Sequence, residues 1–203
     1  MKEIQDLVLL RISWWVKGWA GPFPYSSEEI LRNPNCLCWS GQSLISHKEA
    51  VAEKIYWSPP PRGILKWNVD ASYDPNLPHA VVGGVLRSDS GAFVALFSSP
   101  IPKMEINSAE IYAIVRAIKI TSTSDRIKHQ QIIIESDSLN AVRWCNEDHG
   151  GPWNLKFPLN FIRNAKNSEL SISITHKKRD ANMVADSLAK QGLRRDAEFL
   201  AWC

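Results

Sequence analysis

Apolar and polar residues alternate in three successive segments in the second half of the chain. The segments cover residues 65–71, 80–86 and 92–98, and a period of two is typical of strands that bury one face. The last two segments are joined by Arg87-Ser88-Asp89-Ser90-Gly91, whose final glycine suits a hairpin turn. The pattern therefore predicts three consecutive strands in an antiparallel meander.

After the third strand, the apolar spacing changes to a helical period. Residues 109–120 carry apolar side chains three or four positions apart, behind Asn107 or Ser108 as the capping residue. Further along, the pattern predicts strands over 131–135 and 170–176, and helices over 138–145, 155–166 and 181–193. This order of elements predicts an α/β fold, a mixed sheet with helices packed on it.

The first 56 residues have a different pattern. Residues 4–19 space their apolar side chains as an amphipathic helix does, whereas 20–60 is rich in turn-forming residues. Five of the nine tryptophans fall within the first 57 residues. The run Ser58-Pro59-Pro60-Pro61-Arg62-Gly63 is stiff and extended. We therefore expect a Trp-rich N-terminal extension, 1–56, and a second domain, 57–203.

Composition excludes several classes of protein. With 44% hydrophobic and 22% charged residues, the chain is neither collagen-like nor largely disordered. Lys and Arg outnumber Asp and Glu by 24 to 21, an excess too small to identify a nucleic-acid partner by itself. The four scattered cysteines argue against a disulfide framework, and Cys36-Leu-Cys38 with His47 falls short of a four-ligand zinc site.

The sequence contains no recognisable membrane span or secretory signal. The most apolar early run, 7–20, is interrupted by Arg11 and Lys17 and is shorter than the roughly 20 residues that a span requires. We therefore expect no membrane association and an intracellular location, nuclear or cytoplasmic.

Four carboxylates lie at positions that the predicted elements do not place on the protein surface. Asp70 lies within the first strand and Asp137 directly follows the isoleucine-rich strand. Glu110 lies in the first turn of the main helix, and Asp186 lies among apolar residues of the last helix. Taken singly, Glu110 and Asp137 are explained as well by contacts with helix N-termini, whereas Asp70 and Asp186 would be costly to bury unpaired.

Convergence of the four carboxylates would explain them together. Several oxygens in one place are what Mg²⁺ requires as ligands. Two such ions could activate a water molecule and stabilise the leaving oxygen of a phosphodiester.

The order of several motifs between residues 57 and 193 points to a known family. The motifs are Trp57-Ser58-Pro59-Pro60-Pro61-x-Gly63-x-x-Lys66-x-Asn68-x-Asp70, Gly83-Gly84-Val85-Leu86-Arg87, Ala109-Glu110, Glu135-Ser136-Asp137-Ser138, and His176 with Asn182-x-x-Ala185-Asp186. They resemble the ribonuclease H fold, specifically the plant ribonuclease H-like domains related to the C-terminal part of non-LTR retrotransposon reverse transcriptases. The resemblance implies a five-stranded sheet, three antiparallel strands then two parallel. It also identifies residues 1–56 as the remnant of a larger reverse-transcriptase-type polyprotein.

The resemblance also implies an activity, endonucleolytic hydrolysis of the RNA strand of RNA/DNA hybrids with two Mg²⁺ ions, for which Mn²⁺ can substitute. By position, Asp70 would bridge both ions and Asp186 would help to hold the ion that activates water. Glu110 and Asp137 would complete the shell of the other ion. His176, in the flexible loop before the last helix, would assist proton transfer or product release.

Further residues are implied as contacts to the nucleic acid. Asn107 matches a position that reads the RNA 2′-OH, the group that separates RNA from DNA. The remaining candidates are Asn76, Lys177, Lys178, Arg179 and Asn182. An exposed loop histidine explains His176 equally well, and a three-residue charge run such as 177–179 is more often a solvated loop than a phosphate contact. No small-molecule cofactor is expected, and residues 1–56 are available for a protein partner.

The sequence departs from the family in three places, and the first two departures, together with the small excess of positive charge, favour a second hypothesis. Ala71 replaces the glycine that commonly follows the first aspartate, and residues 103–106 lack the phosphate pocket of the cellular enzymes. The segment between Asp137 and Asp186 lacks a basic, Trp-rich protrusion, which leaves Trp144 as a core residue and Trp153 as a candidate for stacking or packing. The alternative is a catalytically weak or inactive domesticated retroelement domain that binds nucleic acid or a protein partner.

Overall fold

The computed structural model describes residues 57–203. The predicted helix at 4–19, the Cys36-Leu-Cys38 pair and the proposed role of residues 1–56 lie outside the described residues. The described elements are β1 (Ile64–Tyr73), β2 (His79–Arg87), β3 (Phe93–Pro102), α1 (Ile106–Thr123), β4 (Gln131–Ser136), α2 (Leu139–Asn146), α3 (Lys156–Lys166), β5 (Ile172–His176), α4 (Met183–Gly192) and β6 (Phe199–Trp202). Short 3-10 turns occupy Trp153–Leu155 and Arg179–Ala181.

The strands form one six-stranded mixed sheet in the order β5-β4-β1-β2-β3-β6. β1, β2 and β3 pair in antiparallel fashion, and β4 and β5 extend the sheet from β1 in parallel. This confirms the predicted arrangement of three antiparallel strands followed by two parallel ones. Within residues 57–203, none of the helices combines the length and apolar character needed to span a bilayer.

The sixth strand was not predicted. β6 has four residues and pairs antiparallel with the outer edge of β3, and Glu198 just before it forms an ion pair with Arg116 of α1. Its sequence Phe-Leu-Ala-Trp is too short to show alternation, and what makes it a strand is the free edge of β3. The prediction of five strands was therefore wrong by this one edge strand.

The core lies between the sheet and α1. Trp67 of β1 is fully buried, meets the ring of Phe97 edge-on at 5.4 Å, and donates its indole N–H to Thr121 Oγ1 at 3.1 Å. Because the one polar atom of this large side chain is satisfied, the whole ring contributes to burial. Trp144 is half-buried and packs against the same cluster, which confirms its prediction as a packing residue.

The start of α1 differs from the prediction. The helix begins at Ile106 with Glu105 in extended conformation as the N-cap, and neither Asn107 nor Ser108 caps it. Asn107 instead donates its side-chain amide to Glu105 Oε1 at 2.5 Å. Because the helix starts earlier than its polar residues indicate, Glu110 lies in the second turn rather than the first.

The second face of β1 carries a column of polar residues. Lys66 and Asn68, two positions apart, both contact the Glu135 carboxylate of β4, at 2.9 Å each. The parallel register sets Asn68 opposite Glu135, so one buried carboxylate accepts hydrogen bonds from two side chains of the neighbouring strand. Asp70 is the next residue on this face, and the polar column therefore leads to it.

Gly83 allows α4 to lie close to β2. A Cβ at this position would lie 2.5 Å from the backbone nitrogen of Ala189 and 2.9 Å from the carbonyl oxygen of Ala185, both in α4. Gly83 is also the residue directly opposite Asp70 in the β1–β2 ladder. The missing side chain thus brings the helix that carries Asp186 onto the sheet beside Asp70.

Replacing Gly83 by alanine is expected to lower the free energy of unfolding by about 2 kcal/mol, because the added methyl group meets backbone rather than a movable side chain. Denaturant-induced unfolding measures the change, with Ser90→Ala in the exposed β2–β3 turn as the control. An unchanged midpoint for Gly83→Ala would show that α4 does not depend on this close approach.

Candidate active site

Predicted site residues lie together at one edge of the sheet. Parallel strands β1, β4 and β5 end at the same edge, and α2 and α4 begin there. Asp70 lies near the end of β1, Asp137 follows β4 directly, and His176 is the last residue of β5. The topology therefore brings together side chains that are far apart in sequence.

Three of the four predicted carboxylates form a cluster. Asp70, Glu110 and Asp137 each offer one oxygen, and these oxygens lie within 4.8 Å of one another. Asp70 and Glu110 are only 4% and 6% exposed. The Glu110 Oε2 atom is buried without a hydrogen-bond partner among the described residues. Three acidic groups therefore share a poorly hydrated space.

Burial and mutual repulsion change the acidity of two of these groups. Burial, followed by the charges of Asp137 and Asp186, raises the pKa of Asp70 from 3.8 to about 8. Burial also raises the pKa of Glu110 well above its ordinary value, with Asp70 and Asp137 adding to the effect. Both shifts have the same origin, since negative charge is unfavourable in this space unless a positive charge joins it.

The cluster has the chemical character of a divalent-cation site. Carboxylate oxygens are the ligands preferred by Mg²⁺ and Mn²⁺, and a cation would satisfy the unpartnered Glu110 Oε2. The residues present thus fit the metal ions implied by the sequence, with Asp70, Glu110 and Asp137 as the group that would hold them.

Asp186 lies beside this cluster and has partners of its own. Its carboxylate is 2.7 Å from Lys190 Nζ and 3.7 Å from an Arg179 guanidinium nitrogen. Its charge still reaches Asp70 and contributes to the raised pKa there. The pair with Lys190 was not predicted, although the i,i+4 spacing of Asp186 and Lys190 on a helix is the signal that identifies such a pair.

Replacing Lys190 by glutamine is expected to strengthen Mg²⁺ binding about two- to fivefold. An exposed ion pair contributes up to about 1 kcal/mol, and that contribution opposes any contact of Asp186 with a cation. Isothermal titration calorimetry with Mg²⁺ measures the affinity. Lys128→Gln, which removes the distant pair with Asp125, is the matched control, and weaker Mg²⁺ binding by Lys190→Gln would contradict the expectation.

His176 is the last residue of β5, as the alternating pattern over 170–176 predicts, and does not lie in the following loop, where the family resemblance places it. The cause is main-chain pairing, since His176 is opposite Ser136 in the β4–β5 ladder and Lys177 N donates to Ser136 O at 2.9 Å. The ring is exposed, and its Nε2 lies 3.2 Å from the carbonyl oxygen of Asp137. The histidine thus stands at the carboxylate edge in a defined orientation.

The basic run follows His176 directly. Lys178 and Arg179 are exposed and Lys177 is half-buried. Arg179 is close enough to the site to lower the pKa of Asp70 slightly against the larger opposing effects. The run is therefore part of the site edge, and Arg179 faces its acidic residues.

The three asparagines occupy different positions. Asn182 is 1% exposed and donates its amide to the carbonyl oxygen of Val69 at 2.9 Å, so it ties the start of α4 to β1 and is not accessible to a ligand. This replaces its predicted contact with nucleic acid by a structural role. Asn76 bonds Asp74 in the β1–β2 turn, and Asn107 lies half-buried at the start of α1.

Comparison with known proteins places this arrangement in a family. Residues 68–192 match the family model described as reverse transcriptase-like. A protein of Arabidopsis thaliana provisionally named a ribonuclease H protein is 27% identical over 151 residues, which are 74% of this chain and 24% of that protein. The chain thus matches about a quarter of the length of this relative.

Solved structures show the same architecture. Ribonuclease H1 from Halobacterium salinarum superimposes with a TM-score of 0.57 at 26% identity, over 64% of this chain and 98% of that one. LC11 ribonuclease H1, isolated from compost and solved with an RNA/DNA hybrid, gives a TM-score of 0.55 at 22% identity, over 63% and 94% of the two chains. The chain therefore belongs to the reverse transcriptase-like family, and the domain that it shares with these proteins has the ribonuclease H-like fold.

Proposed function

We propose that this domain is a divalent-metal-dependent endonuclease that hydrolyses the RNA strand of RNA/DNA hybrids. The observation that carries the proposal is the convergence of Asp70, Glu110 and Asp137 within 4.8 Å, in the order along the chain that the ribonuclease H family has. Two lines of support accompany it, the reverse transcriptase-like family match and the hybrid bound to LC11 ribonuclease H1.

The carboxylates would hold two Mg²⁺ ions. Asp70, Glu110 and Asp137 would hold one ion, and Asp70 together with Asp186 would hold the other. Bound there, the ions would supply an activated water and stabilise the charge that develops on the leaving oxygen. Mn²⁺ accepts the same oxygen ligands and is expected to substitute.

The protein's own side chains have separate tasks in this proposal. Burial keeps water away from Asp70 and Glu110, so their interactions with charge are stronger than in solvent. Arg179 and the neighbouring lysines place positive charge at the edge where a phosphate backbone would lie. His176 presents an exposed imidazole to the same edge, where it would assist proton transfer or product release.

Asn107 is proposed to contact the RNA strand. It lies one helical turn from Glu110, and its amide now bonds an exposed glutamate. A 2′-OH could take the place of that carboxylate as acceptor, which would favour RNA over DNA at this position. For Asn76, in the exposed β1–β2 turn, we propose a contact with the backbone of the nucleic acid.

One observation favours the second candidate function, a weakly active domain that chiefly binds nucleic acid. Asp186 is paired with Lys190 and Arg179 and is not part of the tight cluster. A carboxylate held by two cations is a weaker ligand for a metal ion than a free one. Cleavage assays therefore have to distinguish low turnover from none.

The test is incubation of the full chain with an end-labelled RNA/DNA hybrid in Mg²⁺ and, separately, in Mn²⁺. Cleavage of the RNA strand by the wild type, abolished in Asp137→Asn, would support the proposal. Binding of the hybrid without cleavage would establish the second function instead. Equal cleavage by Asp137→Asn would point to a contaminating nuclease, and absence of both binding and cleavage would refute both candidates.

The division of the chain at residue 57 is part of this proposal. The family match starts at residue 68, and the extension before residue 57 is assigned as the remnant of a longer polyprotein. A protein partner is proposed for this extension from its Trp-rich sequence.

A further inference from the structure

A groove lies between the C-terminal end of α1 and the edge strand β6. Its volume is about 280 Å³, and its walls include Arg116 and Ile120 of α1, Arg126 just after that helix, and Leu200 and Trp202 of β6. The acidic cluster involves the other end of α1, so this groove is separate from the candidate active site. The family match ends at residue 192, so β6 lies outside it. We call this feature the β6 groove.

The main chain of β6 offers hydrogen bonds along its outer edge. β6 is the last strand of the sheet, and no strand of residues 57–203 lies beyond it. Cys203 N donates to Val94 O at 3.0 Å, and the β3–β6 register sets these two residues directly opposite each other. Hydrogen-bonded pairs alternate along an antiparallel ladder, so Ala201 also bonds towards β3. The N–H and C=O groups of Leu200 and Trp202 therefore point away from the sheet.

β6 lacks the features that usually protect an edge strand from pairing. Native edge strands carry charged residues, proline or a bulge. Phe199–Trp202 contains no charged residue and no proline, and Leu200 is 41% exposed. β5, at the opposite edge of the sheet, instead presents the exposed polar residues Ser173, Thr175 and His176. The outer edge of β6 is therefore suited to the addition of another strand.

The two arginines of the β6 groove differ in their partners. Arg116 forms an ion pair with Glu198, and its Nε donates to Ser99 Oγ at 3.4 Å, so its charge is already matched. Arg126 is exposed, and its guanidinium lies 5.3 Å from the centroid of the Trp202 ring. None of the ion pairs within the described part of the chain includes Arg126. An anionic group bound by Arg126 would therefore lie beside the apolar surface of β6.

We infer that the β6 groove binds an extended acidic segment of a partner protein, which pairs antiparallel with β6. In an antiparallel pair, directly opposite residues share one face of the sheet. Leu200 and Trp202 both line the groove, so the partner residues opposite them would also direct their side chains to the groove. This inference is independent of the proposed nuclease activity.

The size and charge of the groove define the segment that fits it. A volume of about 280 Å³ accommodates one or two side chains and is below the roughly 300–1,000 Å³ of small-molecule pockets. The segment is expected to place an apolar side chain against Leu200 and a carboxylate near Arg126, at alternate positions. A second copy of this chain fits less well, because symmetric pairing of two β6 strands would bring two unpaired Arg126 side chains to the same face.

The first experiment measures binding of the full chain to fluorescein-labelled Glu-Val-Leu-Val-Asp amide by fluorescence anisotropy. This probe carries its two carboxylates and its leucine on one face of a strand. A second peptide, Lys-Val-Leu-Val-Lys amide, is expected to bind at least about tenfold more weakly. Methylation of the leucine nitrogen removes an N–H that would face β6 and is expected to abolish binding, whereas methylation of the first valine nitrogen, which would face solvent, is the matched control.

The second experiment tests the side chains of the groove. Arg126→Gln is expected to weaken binding of the acidic peptide about fivefold, because it removes one exposed ion pair. Leu200→Ala is expected to weaken it about three- to fivefold, because less apolar surface is buried. Arg143→Gln, which changes an exposed arginine of α2, is the matched control and is expected to bind as the wild type does. Circular dichroism verifies the fold of each variant, and the peptide comparison on the wild type needs no variant.

Four results would overturn the inference. The first is equal binding of the acidic and lysine peptides, and the second is unchanged affinity in folded Arg126→Gln. Sedimentation velocity that shows a dimer which the acidic peptide does not dissociate would assign the edge to a second copy. Displacement of the peptide by a single-stranded RNA oligonucleotide in the wild type, but not in Arg126→Gln, would assign the arginine to phosphate binding.

Discussion

Replacing Asp70 by asparagine is expected to reduce hybrid cleavage at least about a thousandfold, with the fold intact. Asp70 is a buried member of the acidic cluster with Glu110 and Asp137, and asparagine removes its charge while keeping its size. Loss of one central electrostatic group in a water-poor site typically costs two to three orders of magnitude, and loss of the cation it holds adds to this. Cleavage of labelled hybrid under single-turnover conditions measures the effect.

Thermal unfolding of Asp70→Asn shows whether its loss of cleavage comes from the missing carboxylate or from a loss of folded protein. Without divalent ions, Asp70→Asn is expected to unfold at the same or a higher temperature than the wild type, because the buried repulsion with Glu110 and Asp137 is relieved. Asp125→Asn, an exposed aspartate paired only with its neighbour Lys128, is the control and keeps full activity. A folded Asp70→Asn protein with near wild-type cleavage would exclude the proposed site.

Stability without divalent ions is expected to fall as the pH rises from about 4 to about 8. The pKa of Asp70 is about 8 in the folded protein and 3.8 as the ordinary value. Within this interval the folded state keeps a proton that the unfolded state has lost, so each rise in pH favours unfolding. The cost reaches up to about 5 kcal/mol at the upper end, and Glu110, whose pKa is also raised, acts in the same direction.

Denaturant-induced unfolding at several pH values, with chelator present, measures this dependence. Saturating Mg²⁺ is expected to restore most of the lost stability near pH 8, since the cation stabilises the ionised carboxylates that the folded state otherwise disfavours. Asp70→Asn should flatten the pH dependence. A free energy of unfolding that rises with pH over this interval in the absence of metal would show that the carboxylates are not held in the arrangement described.

The difference between prediction and structure was largest where an element depends on its neighbours. The alternation at 65–71, 80–86 and 92–98 predicted three strands correctly because each buries a full face. β6 is recognised as a strand only through the outer edge of β3, and nothing in its four residues separates it from a C-terminal tail. The start of α1 differs from its prediction for a related reason, since the Asn107 side chain bonds Glu105 and does not cap the helix.

The candidate site shows the same contrast. Asp70 could be singled out because a carboxylate within a buried strand is costly, and Asp137 because it follows such a strand. That Asn182 is a buried link to Val69 depends on the packing of α4 onto Gly83, whereas the pair of Asp186 with Lys190 is local to α4. Local sequence does not specify that packing.

The sequence by itself determined the order of the elements, the α/β class and the identity of the acidic residues, because these follow from periodicity and from the cost of burying charge. The tertiary structure alone decided which carboxylates converge, how far each of them is buried, and which apolar residues stand exposed. The physical reason is that distance and desolvation depend on the packing of segments far apart in the chain. The period of the apolar residues shows which face of a segment is buried. It does not show which other segment packs against that face.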